Sequence, residues 1–186
     1  GLSTLPAIQT AHAAPVAASS SLFELDLGGL RFDPLVAAPN PAETWGGSSN
    51  ARGSDPGWHL VQFNGAIQER WLTNLRQTGL DPVQYIHPNT YVVWGDQNAV
   101  ARAAEREEVR WTGEHLPAYK VQPRWRELDS AAIATKIIAR RGLSLRNALQ
   151  ADGVSVGSVN SYDPKFDVYL VEAPGVLQLE PLLRVL

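Results

Sequence analysis

The chain has 186 residues, of which 44% are hydrophobic, and 16 basic and 19 acidic residues give it a net charge of −3. This length suits one medium domain or two small ones, and the apolar share excludes a wholly disordered chain. The basic residues are scattered among the acidic ones, so no basic stripe exists to neutralise phosphates, and nucleic acid is not an expected partner.

The absence of cysteine excludes disulfides, thiolate catalysis and cysteine-ligated zinc. No apolar run approaches the roughly 20 residues that span a bilayer.

The first 20 residues have two interpretations. Ala11, His12 and Ala13 form the small-x-small pattern at which signal peptidase cuts, which predicts export. Residues 1–10 lack the basic residues and the long apolar region of a complete signal peptide. The segment is therefore either a signal-peptide remnant or a flexible arm of small residues.

Residues 21–36 predict a β-hairpin that precedes a linker. Apolar and charged residues alternate on both sides of Gly28 and Gly29, which supply the turn. Residues 37–57 are rich in Pro, Gly, Ser and Asn, and Trp45 is their one large apolar residue. This composition predicts the linker.

Residues 58–123 predict a domain with the order β-α-β-β-α-β. The expected strands are 58–63, 82–87, 91–94 and 109–112, and the expected helices are 67–78 and 97–106, the second capped by Asp96. Trp71 and Trp111 are predicted core residues. This order is typical of the ferredoxin-like fold, with both helices on one face of a four-stranded antiparallel sheet. The other face is predicted to be open to a partner.

Residues 131–186 predict a second, incomplete copy of the same domain. Strands are expected at 132–139, 154–159 and 168–171, and helices at 143–151 and 177–186. The order is β-α-β-β-α, which lacks the last strand. The predicted fold class is therefore α+β, with tandem ferredoxin-like domains after a hairpin and linker.

Three separated blocks of the first domain share a pattern with a known family. They are WHLVQFNGAI at 58–67, YIHPNTYVV at 85–93 and VRWTGEHLPAYK at 109–120. With RFDPL at 31–35, they resemble the propeptide-like N-terminal region of bacterial subtilisin-like (subtilase) serine protease precursors. The clear resemblance covers residues 58–123, whereas the second domain is supported by pattern more than by motif.

The resemblance implies a non-catalytic pro-region of a secreted or periplasmic bacterial zymogen, whose full precursor is a subtilisin-like serine endopeptidase. Such a region acts as an intramolecular chaperone and inhibitor of the catalytic domain, which is the implied partner and would contact the exposed face of a four-stranded sheet. Two segments could enter the protease cleft. One comprises His115, Leu116, Pro117, Ala118 and Tyr119, and the other Arg184, Val185 and Leu186. The alternatives are a permanent accessory domain of the mature protease and a free-standing protease inhibitor.

No catalytic residue, metal ligand or cofactor is predicted in this chain. None of the four histidines lies in a His-Gly-Thr context, and no Gly-Thr-Ser-x-Ala segment presents a nucleophilic serine, so a Ser-His-Asp triad is not expected. No His-Glu-x-x-His motif occurs, and Asp163 and Asp167 predict a turn rather than a calcium loop. The chain itself is therefore predicted not to be an enzyme.

Overall fold

The computed structural model describes residues 22–47, 55–126, 132–143 and 145–179. Across these ranges the fold is mixed α+β, with three antiparallel sheets and a few short helices. The strands are β1 (Leu25–Leu27), β2 (Leu30–Phe32), β3 (Gly57–Phe63), β4 (Asp81–Ile86), β5 (Thr90–Gly95), β6 (Val109–Glu114), β7 (Ile133–Arg140), β8 (Ser155–Ser161) and β9 (Phe166–Ala173). The helices are α1 (Pro34–Ala37), α2 (Glu69–Gln77), α3 (Gln97–Ala104), α4 (Pro123–Arg126) and α5 (Leu145–Ala151), with 3₁₀ turns at Pro41–Glu43, Pro117–Tyr119 and Val176–Leu179.

The predicted hairpin is present as β1 and β2. Gly28 and Gly29 have φ values of 56° and 77°, the left-handed conformation that a two-residue hairpin turn needs and glycine adopts without strain. Asp33 then caps the short helix α1 by accepting a hydrogen bond from the backbone N–H of Leu35. Helix α1 thus ends the region predicted as the hairpin, and the predicted linker contains a further capped turn, Pro41–Glu43, whose N-cap is Asn40.

The four-stranded sheet contains β3 to β6 in the order β4-β5-β3-β6. The chain forms it in the predicted order β-α-β-β-α-β, with element ends within about two residues of the predicted ones. The predicted cap is confirmed, since the Asp96 carboxylate accepts from the backbone N–H of Ala99 at 2.7 Å.

One face of this sheet is covered by helices and part of the other is covered by the hairpin. Helices α2 and α3 cover one face, where they share a core with Val61, Phe63 and Val93. The β1–β2 hairpin covers part of the other face and buries Leu25, Leu27 and Phe32 against Trp58, Leu60 and Val92. The prediction of an open second face is therefore wrong for the part beneath the hairpin, because the apolar residues of the hairpin bury themselves there instead of facing solvent.

The predicted core residues Trp71 and Trp111 are only partly buried. Trp71 packs at the margin of the helix-side core, where its ring stacks on Phe63 at 5.7 Å between centroids. Trp111 packs at the margin of the hairpin-side core. The two indoles therefore lie at opposite faces of the sheet.

The second unit has the order β7-α5-β8-β9 and a three-stranded sheet with the order β7-β9-β8. Leu145 and Leu149 of α5 pack on Ile137, Tyr169 and Val171. The 3₁₀ turn Val176–Leu179 lies where the second helix is predicted to begin. The remainder of that predicted helix lies outside the described residues.

Several contacts connect the second unit to the first. The Asp81 carboxylate, at the start of β4, accepts from Lys165 at 2.7 Å and from Arg140 at 3.3 Å. Trp58 stacks on Phe166 with ring centroids 6.0 Å apart. In addition, Trp45 packs against the core of the second unit, so the predicted linker contributes to it.

Candidate functional site

A buried charge pair fastens the hairpin to the first sheet. The Arg110 guanidinium, on β6, donates to both carboxylate oxygens of Asp33 at 2.8 and 3.0 Å and to Gln62 Oε1 at 2.7 Å. The same guanidinium lies 4.2 Å from the centre of the Phe23 ring, and Gln62 Nε2 donates to the Phe23 carbonyl at 3.0 Å. The Arg110 and Asp33 side chains are each only 13% exposed. The hairpin is therefore held by matched polar partners as well as by apolar burial.

The first candidate cleft segment, residues 115–119, is folded beneath this hairpin. It ends in the 3₁₀ turn Pro117–Tyr119, Leu116 and Ala118 are buried, and Tyr119 stacks on Phe32 at 5.8 Å. The chain passes so close that a Cβ on Gly28 would collide with the carbonyl oxygen of Ala118. Insertion of this segment into a protease cleft stays a prediction, and it would require release from the hairpin.

The other candidate segment, formed by Arg184, Val185 and Leu186, lies outside the described residues. Its role as a product-like C-terminal strand stays a prediction.

Burial is the main cause of the shifted pKa values of three residues that follow β6. It lowers the pKa of His115 to about 3, with further lowering by Lys120 and His59. Burial also lowers the pKa of Lys120 to about 7, against the opposing effect of Glu114. It raises the pKa of Tyr119 to about 12. The imidazole of His115 is therefore neutral at physiological pH, and Lys120 loses part of its charge there.

A cleft of about 920 Å³ lies beside this cluster, between the first sheet and the second unit. Its first side is apolar and comprises Leu27, Trp58, Val83, Ile86 and Val92. Its second side comes from β7 and the turn between β8 and β9, and includes Lys136, Ile138, Tyr162 and Phe166. The part of the first sheet that the hairpin leaves uncovered thus faces a groove of ligand size.

The edge of β7 runs along this cleft. In the second sheet β7 pairs with β9 alone, so among the described residues its other edge has no strand partner. Four consecutive β7 residues, 135 to 138, line the cleft. Because successive side chains of a strand point to opposite faces, a cavity that touches all four must follow the edge of the strand.

The outer face of the second sheet carries an exposed apolar patch. Ile138 on β7 lies opposite Val168 on β9, and the next β9 residue on that face is Leu170. The exposed fractions of Ile138 and Leu170 are 53% and 39%. Lys136 and Glu172 flank them on the same face. A contiguous exposed apolar patch is typical of an interaction surface.

Of the described histidines, His59 and His115 lie close enough for His59 to lower the pKa of His115, whereas His87 lies in a separate turn. His59 is buried on β3, and burial is also the main cause that lowers its pKa. His87 lies in the turn after β4, with Nδ1 3.5 Å from the Tyr85 hydroxyl. His12 lies outside the described residues. Within these ranges no three metal-ligating side chains cluster, and no helix is long and apolar enough to cross a membrane.

The predicted turn role of Asp163 is confirmed, since its Oδ1 accepts from the backbone N–H groups of Lys165 and Phe166 at 2.6 and 2.8 Å. Sequence reasoning missed the Arg110–Asp33 pair. A signal was available in Gln62, a polar residue within the mostly apolar strand 58–63, because a buried amide needs hydrogen-bond partners.

A family described as a domain of unknown function, DUF8729, matches residues 26–116 of this chain. The match begins in β1 and ends two residues after β6. It therefore covers the hairpin together with the four-stranded sheet, the two parts that Arg110 fastens together. No curated protein matches the chain.

Proposed function

We propose that this chain is the non-catalytic pro-region of an exported bacterial subtilisin-like serine protease, built from two ferredoxin-like units. It assists folding of the catalytic domain and inhibits that domain until processing. The supporting observation is where the three resembling blocks lie. They form β3, the β4–β5 pair and β6, which together make one sheet in which β5 lies between β3 and β4. This strand order is the one expected of a split β-α-β unit, and it supports the proposed ferredoxin-like assignment.

Such a role has a physical basis. Subtilisin-like catalytic domains contain a parallel sheet, and the long-range contacts of parallel sheets form slowly. A partner that binds only the folded state stabilises it by mass action. Antiparallel sheets with short connections, such as β4–β5 and β8–β9, need less loop closure and can serve as a preformed template.

The outer face of the second sheet is the contact surface that we propose for the catalytic domain. The hairpin occupies part of the corresponding face of the first sheet. In contrast, Ile138, Val168 and Leu170 present an apolar patch on the second sheet. Burial of an exposed residue of this size contributes roughly 1.5–3 kcal/mol, so a few such residues can anchor an interface.

A second candidate function is a permanent accessory domain of the mature protease. The hairpin favours it, because a first unit that covers its own sheet needs no protease to complete that core. In this alternative the chain binds the catalytic domain without blocking substrate hydrolysis.

The deciding experiment titrates the complete chain into a mature subtilisin and follows hydrolysis of a chromogenic peptide. We expect inhibition at micromolar concentration or below. An Ile138→Asp/Leu170→Asp variant should inhibit at least about tenfold less, since a charge would be buried in the interface. Leu35→Asp is the matched control, because Leu35 is an exposed apolar residue on α1, outside the proposed surface.

Two further variants locate the inhibitory segment. Leu116 is buried, so Leu116→Gly is first checked for retained folding by urea unfolding; in the folded variant, inhibition weakens if residues 115–119 enter the cleft. Deletion of residues 184–186 weakens inhibition if the other segment enters it. A complex without inhibition would support the accessory domain. The absence of any complex would contradict both proposals.

A further inference from the structure

We infer that the cleft between the two units is a binding site for an extended acidic peptide, which adds as a strand to the free edge of β7. This site does not depend on the proposed function. It lies along the edge of the second sheet, whereas the surface proposed for a protease lies on its outer face; the two adjoin and share Ile138 and the flanking Lys136.

The backbone of β7 provides the first argument. Its eight residues pair with β9 over the whole strand, from Ile133 with Ala173 to Arg140 with Phe166. The second edge of β7 therefore presents a row of N–H and C=O groups with no strand partner in the described ranges. An edge about 26 Å long, at roughly 3.3 Å per residue, is a template for one added strand. The cleft keeps this edge accessible.

The walls of the cleft provide the second argument. An added strand would point alternate side chains in opposite directions. On one side it would meet the apolar wall of Leu27, Val83 and Val92, and aromatic rings of Trp125 and Tyr162 also line the space. The cleft therefore fits a peptide with apolar side chains at every second position.

The charges of the lining provide the third argument, and they determine which charge the peptide should carry. Arg124 and Lys136 line the cleft against one carboxylate, that of Asp163, and the buried Lys120 adds only part of a charge. Glu114 lies close enough to influence Lys120, but the lining itself carries an excess of positive charge. Charge complementarity selects an acidic partner and suppresses a basic one. The expected ligand thus alternates apolar and acidic residues.

The experiment uses the complete chain and four fluorescein-labelled heptapeptides. One alternates valine and glutamate, one alternates valine and lysine, and the third repeats the first with N-methyl groups that remove the N–H donors of one edge. Fluorescence anisotropy should show micromolar binding of the acidic peptide, at least about tenfold weaker binding of the basic peptide, and loss of binding on N-methylation. The remaining peptide carries its N-methyl groups on the other set of alternate amides. It should still bind, because the N–H groups that face β7 are intact.

Variants of the chain localise the binding. Arg124→Glu/Lys136→Glu should weaken binding of the acidic peptide by about tenfold or more and strengthen binding of the basic one. Both side chains are exposed, so the fold should tolerate the change. Arg146→Glu, an exposed reversal on α5 outside the cleft lining, is the matched control. If the double charge reversal leaves binding of the acidic peptide unchanged, the peptide does not bind in this cleft. If both methylated peptides bind equally well, the peptide does not add as a strand. If the acidic peptide does not bind at about 1 mM, the inference is wrong.

Discussion

Replacement of Asp33 by asparagine tests whether the charge pair holds the hairpin on the sheet. Asparagine caps a helix as well as aspartate does, so α1 keeps its N-cap while the Arg110 guanidinium loses its carboxylate partner. Removal of one partner of a buried ion pair costs about 3–5 kcal/mol. Each side chain here retains 13% exposure, and Gln62 still accepts from Arg110. We therefore expect Asp33→Asn to lower the free energy of unfolding by about 2–4 kcal/mol.

The hairpin also supplies a matched control. Asp26 pairs with Arg31 at 2.9 Å, but these side chains are 53% and 72% exposed, so Asp26→Asn should cost less than about 1 kcal/mol. Urea unfolding followed by tryptophan fluorescence measures both variants, since Trp58 and Trp111 lie at the hairpin-side core. Equal losses for the two variants, or a loss below about 0.5 kcal/mol for Asp33→Asn, would refute the assignment of a stabilising role to the buried pair.

Three further predictions concern other parts of the molecule. His115 has a folded-state pKa of about 3, below its unfolded value of about 6.5, so the unfolded chain takes up the proton first and stability is lost as pH falls from 6.5 towards 3. At pH 5 the loss should reach about 2 kcal/mol, and His115→Gln should reduce this part of the pH dependence in urea titrations. Trp71→Ala should lower the free energy of unfolding by about 2–4 kcal/mol, because the indole stacks on a core phenylalanine but is only partly buried. Asp81→Asn should cost about 1 kcal/mol and increase amide exchange where the units meet, since it weakens the bonds to Arg140 and Lys165.

Each of these three predictions would be contradicted by a specific result. A pH dependence unchanged by His115→Gln would assign the acid sensitivity to other groups, with His59 as the next to test. A Trp71→Ala midpoint equal to that of the parent would mean that α2 does not pack on the sheet as described. Unchanged exchange after Asp81→Asn would show that the remaining contacts, Trp58 with Phe166 and Arg140 with the Trp94 ring, suffice to hold the units together.

Local patterns predicted the elements of the fold well. Alternation located the strands, the two glycines located the hairpin turn, and Asp96 located the start of α3, because each depends on residues within one or two turns of chain. The covering of the sheet by the hairpin was not predicted. The covering depends on the ion pair of Arg110 and Asp33, which are 77 positions apart in the chain, and on the burial of apolar residues of the hairpin against those of the sheet.

The candidate site was still harder to predict. The cleft is formed by residues from the hairpin, β4, β5, β7 and the turn after β8, so no segment of the sequence contains its pattern. The unpaired edge of β7 is visible only once the strand order β7-β9-β8 is known. Sequence reasoning predicted a missing strand in the second unit, but not that a cleft would lie along the edge concerned.

The hairpin and the sheet that it covers belong to one chain, so the hairpin behaves as a tethered ligand. The connection from α1 to β3 is short enough to keep the hairpin at an effective concentration of millimolar order beside its binding surface. A single peptide-bond cut between α1 and β3 would convert this contact into a bimolecular one, and dilution would then decide whether the hairpin remains bound. Release would uncover Leu60, Trp58 and the 3₁₀ turn Pro117–Tyr119 together. One proteolytic event could thus change the surface of the first unit without altering any residue in it.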